Sequence, residues 1–192
     1  MTRVVVTIVE GHGDTESLPI LLRLIDPSLR IPTPVRVPKS RLIRAGTGLA
    51  DAGVVARYAR IALSNVRADE LADKRFLLLL LLDADDDCPA TLGPSLLEAM
   101  RSTTGHAAHC FAAVAKREFE SWIIGGHPDI NEQDPDAAGS PKKRIAAING
   151  GKYKESVDQP RFTSRIDLER LGDRSPSFRR LADRLRDFAD SR

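Results

Sequence analysis

Residues Arg3–Val9 read RVVVTIV, rich in β-branched side chains and apolar at almost every position. A run without polar alternation marks a strand buried on both faces, as in a parallel sheet. It ends in Glu10-Gly-His-Gly-Asp14, whose glycines predict a tight turn and whose Asp14 or Thr15 predicts a helix cap. The helix expected next, about Glu16–Ile25, sets Leu18, Leu21, Leu22 and Ile25 on one face. Prolines at 27, 32, 34 and 38 exclude a helix and leave Thr33–Val37 as a short edge strand. Arg41–Gly48 reads as a basic loop, Leu49–Val66 as an amphipathic helix and Asp69–Lys74 as a polar turn. Phe76–Leu82 is a second fully apolar strand, closed by Asp83-Ala-Asp-Asp-Asp87. Cys88 and Pro89 then open a helix to about Ser102, with proline in its first turn. His109–Ala115 is a further strand and Lys116–Glu120 its polar exit; Trp122–Ile124 begins another apolar stretch. Asn131–Ser140 is acidic and turn-rich, and Pro141–Ile148 is helical. Asn149–Arg165 reads as irregular, and Ile166–Leu171 and Ser177–Phe188 as terminal helices.

Strands alternating with helices predict an α/β fold with a mostly parallel sheet flanked by helices, and a helical C-terminal extension. The chain of 192 residues suits an α/β core over 1–140 with a basic extension, 141–192, packed on it. Charge follows the same division. Residues 1–141 carry fifteen Lys and Arg against nineteen Asp and Glu, whereas 142–192 carry fourteen against eight. The basic part is a candidate surface for an anionic partner, although a solvated arginine-rich helix explains the last twenty residues as well. No segment has the roughly 18 consecutive apolar residues that span a bilayer, and Met1–Thr2–Arg3 enters a strand pattern without a signal-peptide layout. Cys88 and Cys110 lack CxxC or CxH neighbours, so they read as reduced thiols of a cytoplasmic protein.

The candidate chemistry lies in the acids. Sites in open parallel sheets form beyond the carboxyl ends of the strands. Glu10 follows the first strand, Asp83 and Asp85 the third, Glu118 and Glu120 the fourth. If the first and third strands are neighbours, about 4.8 Å apart, Glu10 and Asp83 are close enough to share a metal ion. Close carboxylates do not all stay ionised without a compensating cation, and hard oxygen donors favour magnesium or manganese. Plainer roles exist for some. Asp86 and Asp87 meet a helix dipole, and Asp14 can be a cap alone. Glu10 and Asp83 each follow a buried apolar run, where an uncompensated carboxylate is costly. An EF-hand loop from Asp83 would need Gly at 88 and Glu at 94, where the chain has Cys88 and Pro94. A GxxxxGK[ST] loop is absent, and Gly11-His-Gly13 lacks the third glycine of a dinucleotide fingerprint. His12, His106, His109 and His127 make no metal-ligand spacing, though His12 can reach a substrate phosphate from the turn.

Glu-Gly-x-x-Asp after a first strand, with Asp-x-Asp after a later one, resembles the Toprim domain of topoisomerases, DnaG-type primases and OLD nucleases. The strings VEGHGDTESLPILLRL, LLDADDDCPATL, AKREFESWIIGG and VDQPRFTSRIDLERL together resemble a bacterial family of uncharacterised Toprim-like proteins. Its members are often encoded beside an ATPase and are suspected of acting against foreign DNA. The resemblance implies a Toprim-like (Rossmann-like) core. Glu10 would be a metal ligand or general acid/base, Asp83 and Asp85 metal ligands, and Asp14 a further ligand as in OLD-like members. Glu120 of the Glu-x-Trp pattern would complete the shell in preference to Glu118, since residues two apart on a helix face apart. Trp122 reads as a core anchor. Asp158 and Gln159 belong to the pattern without an evident role, and Tyr58 and Tyr153 are poor nucleophiles for strand passage.

The expected function is a metal-dependent phosphodiester hydrolase, a nuclease acting on DNA or RNA, with Glu10, Asp83 and Asp85 catalytic. Arg41, Arg44, Lys142, Lys143, Lys152 and Lys154 would guide the strand; Lys152 and Lys154 can also stabilise a leaving oxygen. Two other classes fit: a magnesium-binding nucleic-acid or nucleotide-binding subunit that acts only with a partner ATPase, and a stand-alone phosphatase or nucleotidase.

Overall fold

A computed structural model describes residues 3–104, 109–137 and 139–190. Met1, Thr2 and His106 lie outside the described residues. The chain divides into two compact units, Met1–Gly11 with Ser28–Val114 and His12–Pro27 with Ala115–Arg192. This is not the division at residue 140 that composition suggests. The second unit takes in the segment after the first strand, because residues 12–27 are helical and pack on a helix far along the chain.

The first unit is α/β. Its strands are β1 (Val4–Val9), β2 (Val35–Arg36), β3 (Ile43–Arg44), β4 (Leu49–Ala50), β5 (Phe76–Asp83) and β6 (Cys110–Ala115). Four of them form a parallel sheet in the order β2-β1-β5-β6, and β3 and β4 pair as a small antiparallel ladder. β1 and β5 run parallel from Val4↔Phe76 to Ile8↔Leu80. On one face Val4, Val6, Ile8, Leu78, Leu80 and Leu82 join a core with Val55, Ala59 and Ala62 and with Leu92, Leu96 and Met100. The first three come from α3 (Ala52–Leu63) and the last three from α5 (Pro89–Thr104). The opposite parity (Val5, Val9, Leu77, Leu79, Leu81) is also buried, which is why neither strand alternates in sequence. Each such Leu contributes about 1.5–3 kcal/mol on burial.

Three local expectations are corrected here. Arg41–Gly48 is not a plain loop: it contains the end of α2 (Lys39–Leu42) and β3, and turns into β4. α3 therefore starts later than Leu49, where Asp51 Oδ1 accepts from the Val54 amide at 3.0 Å. Asp69–Lys74 includes α4 (Ala68–Ala72), whose Glu70 is buried because it accepts from the Arg67 amide and from the Arg30 guanidinium.

The second unit is helical. It holds α1 (Asp14–Ile25), α6 (Phe119–Gly126), α7 (Pro141–Ile148), α8 (Glu155–Thr163), α9 (Leu168–Arg174) and α10 (Pro176–Asp190). α1 packs on α8; α6 meets α7, α8 and α9. The apolar stretch after the fourth strand is thus a helix, and every residue of it is buried. Trp122 is a core anchor, as expected: it contacts Phe119 and Phe178, and its Nε1–H donates to Ser177 Oγ at 2.8 Å. α8 replaces the irregular segment expected at 149–165; Pro160 inside it and a weakly amphipathic sequence hide it from periodicity.

Candidate functional site

In the first unit the acids sit where two buried strands end. β1 and β5 are adjacent and parallel, so Glu10 and Asp83 leave the same edge of neighbouring strands, the placement that makes an α/β site. Both are partly exposed. The chain then turns sharply: the Asp87 amide donates to the Ala84 carbonyl at 2.8 Å, and Asp85 takes φ 52°, the left-handed region that aspartate tolerates better than most residues. Into this turn reaches Lys39 at the start of α2. Its ammonium lies 2.8 Å from the Ala84 carbonyl, 2.9 Å from Asp85 Oδ2 and 3.0 Å from Asp87 Oδ2. Burial pulls the lysine down, but Asp85 and Asp87 outweigh it and hold the ammonium above its ordinary value. Asp87 therefore does more than face a helix dipole, since it shares the cation with Asp85. Lys39 carries no motif signal; it follows Pro38 in an unremarkable string, and only the tertiary fold brings it to residues 84–87.

Arg41 and Arg44 are exposed in the same unit, Arg41 reaching Tyr58 Oη at 3.5 Å.

The second unit holds Asp14, Glu118, Glu120, Lys142, Lys143, Lys152 and Lys154. Asp14 is not a cap. α1 begins at Asp14 itself, Gly13 is the N-cap residue without a side-chain bond, and Thr15 Oγ1 donates back to the His12 carbonyl. Asp14 Oδ1 instead accepts from Gln159 Nε2 at 2.9 Å, a buried bond across 145 positions. That contact explains the glycine beside it. Gly13 has ordinary helical dihedrals, but a Cβ there would lie 1.6 Å from Gln159 Oε1 and 3.1 Å from the Glu155 carbonyl. Gly13 does lie in the expected turn, but its dihedrals suit any residue, and glycine is required there by the close approach of α8. Asp158, inside α8, accepts from the Lys154 amide at 2.7 Å and from the Arg161 guanidinium at 2.8 Å.

Glu120 lies on α6 at 2 % exposure. Tyr153 Oη donates to its Oε1 at 2.7 Å, and the Lys142 ammonium stands 3.9 Å away. Burial raises the Glu120 carboxyl to about 7, against the opposing pull of Lys142 and Tyr153. Lys142 also meets Glu155 at 2.6 Å and Glu118 at 3.3 Å. Burial acts to lower Lys142, and the three carboxylates together hold it above its usual range. Tyr153 is pushed up by burial and then by Glu120. Glu118 is the extended residue before α6 and lies outside the helix, so helix geometry does not set it apart from Glu120, and one lysine bridges both.

Beside this group opens a broad, solvent-open cavity of about 800 Å³ lined by His12, Lys142, Lys143, Ala146, Tyr153, Lys154, Glu155 and Ser156. Lys152 is exposed, and its carbonyl accepts from Asn149. Tyr153 was legible only as a poor nucleophile; no spacing links it to Glu120.

The site residues expected from sequence thus fall in both units: Glu10, Asp83 and Asp85 in the first, Asp14 and Glu120 in the second. Among the described residues, no group of three or more His, Cys, Asp and Glu side chains is gathered to hold a metal ion. Among the same residues, no helix is long and apolar enough to cross a membrane.

Residues 9–186 match the family model described as a domain of unknown function (DUF4276), and the chain belongs to that family. No curated protein and no solved structure matches it.

Proposed function

For this member of the DUF4276 family, we propose a metal-dependent phosphodiester hydrolase that acts on DNA or RNA. The observation that supports it most is the departure of Glu10 and Asp83 from the same edge of adjacent parallel strands. Their carboxylate oxygens are donors of the kind magnesium and manganese take. Glu10 and Asp83 would hold the ion, and Asp85 would join them on leaving Lys39. The ion would supply polarisation of a phosphoryl oxygen and activation of water. Lys39 pairs with Asp85 and Asp87 in the turn, and its release would set how far Asp85 can reach. Arg41 and Arg44, exposed in the same unit, would hold backbone phosphates. The Toprim-like resemblance agrees with these roles for Glu10, Asp83 and Asp85.

The second reading is a magnesium-binding subunit that turns over nucleic acid or nucleotide only with a partner ATPase. The hold of Lys39 on Asp85 and Asp87 favours it, since an internal cation already occupies two of the acids.

The test is cleavage of supercoiled plasmid, single-stranded DNA and RNA with magnesium or manganese, by wild type beside Asp83→Asn and Glu10→Gln. Manganese titration calorimetry follows the same proteins. Loss of both cleavage and manganese binding in the variants, with circular dichroism unchanged, is the expected result. Manganese binding without cleavage by the wild type moves the assignment to the partner-dependent subunit. Equal manganese binding by all three proteins refutes a metal centre at these acids.

A further inference from the structure

The lysine-lined cavity of the second unit has features that the carboxylate chemistry does not use. Of its three lysines, Lys142 is committed to Glu155, Glu118 and Glu120. Lys143 and Lys154 are exposed, and among the described residues neither has a carboxylate partner. Two uncommitted ammonium groups facing one cavity match the charge of a phosphate monoester, about −1.5 to −2 near neutral pH. An internal phosphodiester, with a single charge, would leave one of them uncompensated. His12, exposed at the same cavity, adds a ring N–H donor.

Glu155, held by Lys142, and Ser156 also line the cavity, and the rest of the wall is largely carbon. Ala146 leaves room, the half-buried Tyr153 ring forms one side, and the lysine stems add methylenes. Tyr153 is fixed by its bond to Glu120, so its ring is a rigid surface. At about 800 Å³ the cavity lies within the range of small-molecule sites, roughly 300–1,000 Å³. A bare phosphate would leave that apolar wall in water. A ligand with a flat apolar body and a terminal phosphate satisfies both parts, the body against Tyr153 and Ala146 and the phosphate between Lys143 and Lys154.

We propose that this cavity binds a nucleoside bearing a terminal phosphate group. The ligand can be a free nucleotide or the phosphorylated end of a strand, which share this chemistry. The inference needs no metal ion and stands whether or not the hydrolase assignment does.

The experiment is titration calorimetry on the full chain in excess EDTA. AMP, GMP, CMP and UMP are compared with the matching nucleosides and with inorganic phosphate. At least one nucleotide should bind about tenfold or more tighter than its nucleoside and than phosphate alone. Lys143→Ala with Lys154→Ala should remove that advantage. Ala146→Phe, which fills the wall and keeps all three lysines, should weaken the nucleotide by a similar factor. Both variants alter partly or fully exposed positions, and their melting curves should match the wild type. A trinucleotide with a 5′-phosphate, set against one without, separates the two sources. Preference for the phosphorylated trinucleotide over the mononucleotide identifies a strand end, and the reverse identifies a free nucleotide. The proposal is overturned if none of the four nucleotides binds, if nucleosides bind as tightly, or if either variant leaves nucleotide affinity unchanged.

Discussion

Replacing Glu120 with glutamine should flatten the pH dependence of stability in the second unit. The carboxyl is 2 % exposed and is raised from 4.5 to about 7, chiefly by burial. In the unfolded chain it ionises near 4.5. Between that value and about 7 the folded state holds a proton that the unfolded state has lost. The stabilisation is therefore complete below about 4.5 and is lost as the pH rises through about 7. At 1.36 kcal/mol per pH unit the whole effect is roughly 3 kcal/mol. Glutamine keeps the acceptor for Tyr153 and cannot ionise, so the variant should lack this slope. Trp122 is the chain's one tryptophan, and it is buried against Phe119 and Phe178, which makes its emission the natural probe for urea unfolding. His127 contributes with opposite sign. Burial, then Arg165, depresses it, so its contribution is lost as pH falls below the ordinary imidazole value. The difference between wild type and Glu120→Gln at each pH removes that background. Wild type should lose stability relative to the variant from pH 5 to 8. Parallel curves, or a wild type that gains on the variant as pH rises, would refute burial of an ionisable carboxyl as the dominant effect at Glu120.

Gly13→Ala should destabilise the chain by about 1–3 kcal/mol, because the new methyl group must displace Gln159 from Asp14. Urea melts of Gly13→Ala, Gln159→Ala and the double variant should be clearly less than additive, and simple additivity would disprove the steric account. Arg30→Met leaves the buried Glu70 without its guanidinium, which now holds the carboxyl below its usual range. The loss should be about 3–5 kcal/mol by thermal or chemical unfolding, and a loss under about 1 kcal/mol, the value of an exposed pair, would contradict it.

The sequence by itself determined the parallel sheet. RVVVTIV and FLLLLLL have no polar alternation, so both faces of each strand had to be covered, and helices between strands impose parallel pairing. For the same reason the acids had to appear at strand ends, since nothing within those runs can hold a charge. Pro141 at one helix start and Ser175–Pro176 at the start of the last helix were equally local signals. Tertiary structure alone decided which charges meet. Lys39 reaches the turn over Asp85 and Asp87 across about 45 positions, Gln159 reaches Asp14 across 145, and Tyr153 reaches Glu120 across 33. Gly13 lies in the turn its sequence predicts, but only the structure shows why it is glycine, because the side chain that excludes a methyl group belongs to α8. Local pattern records periodicity and φ/ψ preference, which act over a few residues. A hydrogen bond or ion pair depends on position in space, and two segments far apart in the chain acquire a common position only when the core between them has formed.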